Sequence, residues 1–210
     1  MSVDNSKTML AETQGQVTPQ GAVEMLKAGN ERFVSSNQLS REYPQQVSAT
    51  ARGQWPYAAV LGCIDSRVPN EVVFDQGIGD IFSARVAGNF VNTDILGSLE
   101  YACGVAGSKA IVVLGHEGCG AVKAACDDVK VGNITDMLAK IKPSVEATPG
   151  DGDRSSANGE FVSNVVRTNV ELTIENMRSR SEMLRDLESE GKIAIVGAVY
   201  DVASGRVSFL

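Results

Sequence analysis

Hydrophobic positions along this chain fall in two patterns. YAAVLGCI (57–64), DIFSARVAG (80–88) and KAIVVLGH (109–116) are short, nearly unbroken apolar runs, the mark of strands buried on both faces. Between the second and third, TDILGSLEYACGVAG sets Ile95, Leu99 and Ala102 on one helical face, with Thr93 or Asp94 as the expected N-cap. From Pro19, which suits a first turn, PQGAVEMLKAGNERFVSS repeats Ala22, Met25, Leu26 and Phe33 at helical spacing. Further helices are expected from Ala121 to about Cys126, over ITDMLAKI before Pro143, and from about 160 to 189. ATPGDGDRSSANGE (147–160) reads as a surface loop, and KIAIVGAVYDVASGRVSFL as two strands around Ala203-Ser204-Gly205. Strands alternating with helices predict an α/β fold, a mostly parallel central sheet of four to five strands flanked by helices, with an N-terminal helical arm. Residues 1–18 form the polar part of that arm; having no core of its own, it is expected to lie loose or on a partner subunit.

Composition narrows the function. With 210 residues, 43% of them hydrophobic, the chain can bury a sizeable core as one domain. A net charge of −7 without a clustered basic face argues against nucleic acid and anionic membranes as partners. No apolar run reaches the roughly 18–20 residues of a bilayer span, and MSVDNSKTMLAETQGQVTPQ lacks a basic region followed by an apolar one, so a soluble, cytoplasmic protein is expected. Four cysteines are too few for a disulfide scaffold and point to thiols that are reduced or metal-bound.

The candidate chemistry sits at the strand ends, where open α/β sheets gather ligands. Cys63 ends one expected strand; His116, the chain's single histidine, ends another and stands three residues before Cys119. His-x-x-Cys is a weak zinc signal alone. With Cys63 it makes a Cys2His set, which leaves one tetrahedral position for water, as in a catalytic site. Cys103 and Cys126 lie within expected helices and are read as packing residues. Asp65 and Arg67 elsewhere would be a surface ion pair worth at most about 1 kcal/mol. Beside a metal they acquire a purpose, because an arginine can hold a carboxylate off the open position by charge-assisted hydrogen bonds. Asp65 is then free to orient the water. Two thiolates cancel the charge of Zn2+, so activity should rise toward alkaline pH. Gly115, Gly118 and Gly120 follow the order G-x-x-G-x-G, without the G-K-[ST] of a phosphate loop, and more simply let the backbone turn beneath the metal.

CIDSR followed some fifty residues later by HEGC resembles the β-class carbonic anhydrases, and GNERF, FDQGIGDIF, RVAGN and SLEYA extend the likeness over the chain from about residue 19. The resemblance implies that residues 19–210 form a single α/β catalytic domain holding one Zn2+ per subunit through Cys63, His116 and Cys119, with Asp65 and Arg67 as a gating dyad. It implies reversible hydration of carbon dioxide to bicarbonate, in a homodimer or homotetramer whose active clefts lie at the subunit interface. Gln54 matches the substrate-binding glutamine of the plant-like subtype, and Phe82 and Tyr101 match aromatic residues of the same cleft. Ala87 stands where a valine is often found. Val60 replaces the tryptophan of the subtype with an inhibitory bicarbonate site, so an open zinc site is expected. Without the resemblance, Gln54 reads as a loop residue, Phe82 as core and Tyr101 as one position on an amphipathic helix. Two rivals remain: hydrolysis of carbonyl sulfide or carbon disulfide on the same fold, and a zinc-binding protein without turnover. Asp65 and Arg67 speak against the second, since a structural site has no use for a carboxylate in reserve.

Overall fold

The structure, a computed structural model, describes residues 4–210. Five strands form one sheet: β1 (Ala58–Gly62), β2 (Ile81–Arg85), β3 (Ala110–His116), β4 (Ala194–Tyr200) and β5 (Val207–Phe209). Their order is β2-β1-β3-β4-β5, parallel throughout except for the antiparallel β4–β5 pair. The helices are α1 (Ala11–Gln16), α2 (Pro19–Val34), α3 (Tyr43–Thr50), α4 (Asn70–Val73), α5 (Thr93–Glu100), α6 (Gly120–Cys126), α7 (Gly132–Leu138), α8 (Lys142–Ala147), α9 (Gly159–Arg180) and α10 (Glu182–Ser189). One π-helical turn, Tyr101–Val105, extends α5. The expected α/β architecture with a mostly parallel sheet is therefore the one observed.

β1 and β3 are buried at every position because helices cover both faces. Ala59, Leu61, Ile111 and Val113 point to the face under α9, and Ala58, Val60, Val112 and Leu114 to the face under α2. The close seat of α9 depends on two strand glycines. A Cβ at Gly115 or at Gly197 would stand 2.8 and 2.7 Å from methyl groups of Val170, so α9 lies nearer the sheet than any larger residue allows.

The GNERF and FDQGIGDIF segments are packing motifs. Gly29 lets α2 touch the backbone carbonyl of Phe74, and Asn30 donates to Val73 O at 3.0 Å and Gly205 O at 2.9 Å while accepting from Val207 N at 2.8 Å. Arg32 meets the buried carboxylate of Asp75 at 2.6 Å, and Arg41 pairs with the same group. This region holds α2 against the face of the sheet rather than making chemistry.

Four local expectations are corrected. Part of the polar arm lies on its own chain: Met9 and Val17 are buried, and Gln14 donates to the carbonyls of Pro56 and Ala106, both at 2.8 Å. Helix α5 is capped by Asn92, not Thr93 or Asp94; Asn92 is extended and accepts from Ile95 N at 2.9 Å. The helix expected over 134–141 ends at Leu138, and Pro143 sits in the first turn of α8, where a missing N–H costs nothing. The helix expected over 160–189 breaks at Ser181, whose hydroxyl caps α10 by accepting from Leu184 N at 3.2 Å and donates to Glu100 at 2.6 Å.

Candidate metal centre

Parallel pairing brings the ends of β1 and β3 to one edge of the sheet. Leu61 pairs with Val113, so the chain leaves β1 at Cys63 and β3 at His116 side by side. Cys119 then opens α6 as its N-cap residue. Gly118 makes the return possible: its φ is +66°, and a Cβ there would meet nothing, so the residue is needed for conformation rather than for space. Cys63, His116 and Cys119 are all buried, and their ligand atoms lie within 4.8 Å of one another.

This donor set fits a metal. His116 is fully buried; its Nδ1 lies 3.0 Å from the carbonyl of Glu117, which accepts from it and leaves the Nε2 lone pair toward the two sulfurs. Nε2 has no hydrogen-bond partner among the described residues, although it is buried. An orphaned imidazole nitrogen beside two thiols is costly unless a soft cation takes them. The hydrogen bond from Cys119, with smaller help from the Gly88 amide, lowers the Cys63 thiol, while Cys119, as the partner that keeps the proton, is pushed up. A bound metal needs both as thiolates, so binding should release protons.

Beside this cluster, Arg67 grips Asp65 at two points, Nε to Oδ1 at 2.9 Å and Nη2 to Oδ2 at 2.8 Å, with the Arg67 amide also on Oδ1 at 3.0 Å. Those bonds hold the Asp65 carboxyl well below the usual carboxylate range. Its Oδ2 stands 3.8 Å from His116 Nε2, at the rim of the ligand cluster but turned to the guanidinium. Arg67 is half exposed, so the pair contributes position more than stability. Arg85, a residue not singled out from sequence, braces the loop: Nε donates to Cys63 O at 2.8 Å and Nη2 to Asp65 O at 2.7 Å. Its signal was there to read, since it is the one cation in DIFSARVAG and pairs with Gly62 just before Cys63.

Of the expected cleft residues, only Ala87 lies near the cluster. It precedes Gly88, whose N–H donates to Cys63 Sγ at 3.4 Å. Phe82 pairs with Ala59, three positions before Arg85 and thus roughly 10 Å back along β2. Its ring meets Tyr101 edge-on at 6.1 Å, and both line a groove of about 540 Å³ with Ile95 and Gly97. Gln54 is exposed in the segment entering β1, also at the far end of the strand from Cys63. Within one chain, Gln54, Phe82 and Tyr101 are therefore not brought to the ligands.

The other two thiols are apart from this chemistry. Cys103 is almost fully buried, and burial pushes its thiol up to about 12. We expect iodoacetamide at mildly alkaline pH to leave Cys103 unmodified in the folded protein and to label it on denaturation, as read by peptide mass spectrometry. Labelling at equal rates in both states would contradict this placement.

A mostly parallel sheet covered on both faces, with a Cys2His group at its carboxyl edge that could hold a metal ion and a carboxylate held in reserve, defines an α/β protein with a candidate metal centre whose protein donor set is incomplete. The sequence model of the family described as carbonic anhydrase matches residues 58–207, and the chain belongs to that family. It is 40% identical over 196 residues to a carbonic anhydrase of Mycolicibacterium smegmatis, covering 90% of this chain and 92% of that protein. Identity is 38% over 197 residues to carbonic anhydrase 2 of Mycobacterium tuberculosis, covering 90% and 91%. Among solved structures, two tetrameric β-carbonic anhydrases of Sordaria macrospora are represented at 26% identity with a TM-score of 0.68, over 91% of this chain and 95% of that one. A β-carbonic anhydrase of Aspergillus fumigatus shares the fold at 24% identity with a TM-score of 0.69, over 87% and 88%.

Proposed function

We propose that this chain catalyses the reversible hydration of carbon dioxide to bicarbonate and a proton, with one zinc ion per subunit held by Cys63, His116 and Cys119. The observation that carries the reading is the bidentate Arg67 grip on Asp65, 3.8 Å from an unpartnered His116 nitrogen: a ligand cluster with a carboxylate restrained at its rim. Zinc, when bound, supplies the Lewis acidity that makes water nucleophilic near neutral pH. Asp65 Oδ2 accepts a hydrogen bond from the attacking water and orients it. Arg67 keeps that oxygen in place and off the cluster, and Arg85 fixes the loop that carries it. Ala87 offers an apolar surface to a substrate that has no hydrogen to donate.

Gln54, Phe82 and Tyr101 enter through a second copy. β2 is an edge strand with Phe82 near its start and Arg85 at its end, and a two-fold axis across its middle sets the start of one strand beside the end of the other. Gln54, Phe82 and Tyr101 of one copy then reach the metal centre of its mate, Gln54 donating to a substrate oxygen and the aromatic rings excluding water. The Sordaria relatives, being tetrameric, support assembly into an oligomer.

Stopped-flow hydration with a pH indicator, run with metal analysis, tests the proposal. The zinc-replete protein should outpace buffer, increasingly so at alkaline pH, and Cys63→Ser should lose both zinc and rate. A zinc-replete protein no faster than buffer would end the proposal, and turnover of carbonyl sulfide in place of carbon dioxide would redirect it.

A further inference from the structure

We propose that Asn169 is a positioning residue for Cys63, acting through the backbone of Gly88. Asn169 lies on α9, 106 positions from Cys63 in the chain, and is only 2% exposed. Its Nδ2 donates to Gly88 O at 2.8 Å, and Gly88 N in turn donates to Cys63 Sγ at 3.4 Å. The amide is held in that sense by Ser144, whose hydroxyl donates to Asn169 Oδ1 at 3.1 Å.

Gly88 explains why a side chain is spent on this link. Its φ is +79°, and a Cβ there would stand 2.4 Å from Ile141 Cδ1, so any side chain at this position would be strained and would displace Ile141. Glycine has the widest backbone freedom of any residue. An N–H that must meet a sulfur therefore needs its other side anchored, and the only side-chain donor on the Gly88 carbonyl among the described residues is Asn169. The N–H···S bond takes up part of the thiolate charge and fixes the direction of the sulfur lone pairs, which sets how Cys63 presents itself to a metal. Asparagine suits the post because it gives a donor on one side and an acceptor on the other; aspartate would face the carbonyl oxygen with another acceptor.

The proposal rests on Cys63 being a metal ligand. Zinc affinity of the full-length protein is measured by competition with a chelating dye, and the sulfur-to-metal charge-transfer band is recorded after cobalt substitution. Asn169→Ala is expected to bind zinc about 10- to 100-fold more weakly and to shift the cobalt band. Ile174→Ala, another buried position on α9 but packed toward Gly197, is the control for lost stability: a lower Tm with zinc affinity and cobalt band unchanged. Ser144→Ala, which leaves Asn169 in place, should weaken zinc binding less but in the same direction, and carries the test if Asn169→Ala does not fold. Wild-type affinity and spectrum in the folded Asn169 variant, or in Ser144→Ala where it must serve alone, overturn the proposal, as do equal changes in Ile174→Ala. A wild-type protein that binds no zinc ends the metal reading as well; one that binds zinc beside indifferent variants ends only the role of Asn169.

Discussion

Replacing Arg67 with alanine is expected to remove at least ~100-fold of the hydration rate while zinc stays in the protein. Both oxygens of Asp65 are held by the guanidinium, at 2.9 and 2.8 Å, and the carboxylate already stands 3.8 Å from His116 Nε2. Freed, an ionised carboxylate at that distance would be drawn to a cation held by Cys63, His116 and Cys119 and would compete with water there. Cys63, His116 and Cys119 are untouched, so the variant should bind as much zinc as the wild-type protein. Arg67→Lys should recover little, because a point charge on a flexible stem cannot reproduce a planar two-point grip. Paired stopped-flow and metal analysis decide the matter: full activity in Arg67→Ala removes the gating role, and loss of zinc together with activity turns Arg67 into a structural support.

Gly29→Ala should cost about 3 kcal/mol or more, roughly 6–12 °C in Tm, although helix propensity alone favours alanine by about 1 kcal/mol. The added Cβ would lie 1.9 Å from the carbonyl oxygen of Phe74 and 2.8 Å from its carbon. Backbone on both sides cannot step aside as a flexible side chain can. Helix α2 would lift from the sheet face, straining the Asn30 bridges to Val73 and Gly205 and the Arg32–Asp75 pair. Gly15→Ala in α1 is the contrast, since a Cβ there meets nothing within 4 Å and should be neutral or slightly stabilising. Thermal denaturation of both variants at one protein concentration gives the comparison. Equal Tm values would mean that the contact of α2 with Phe74 is not as close as described.

Much of the site was legible because its chemistry demands particular atoms. Thiolate sulfur, imidazole nitrogen and carboxylate oxygen are the side-chain atoms that zinc favours, and Cys63, His116, Cys119 and Asp65 all stand at or just past the ends of apolar runs that burial on both faces had made unmistakable. Other features carried no such mark. Asn92, Thr93 and Asp94 are all good caps, and which one serves depends on where the chain is still extended. Ser181 looks like any polar residue in an amphipathic stretch until its hydroxyl is seen on Glu100. Gln54, Phe82 and Tyr101 could be matched by spacing, but spacing does not say that they fall at the opposite end of β1 and β2 from the ligands.

By itself, then, the chain determined its strands and its longest helices, its donor atoms and the pairing of Asp65 with Arg67, because hydrophobic period, turn chemistry and a two-residue separation are local properties. The tertiary structure alone decided which distant groups meet: Cys63 with His116 through strand register, Arg85 with the loop at 63–65, and α9 with Gly88 through Asn169. Hydrogen bonds and metal ligation act over about 2–4 Å. Separation along a folded chain says almost nothing at that scale until sheet order and helix approach have placed each backbone.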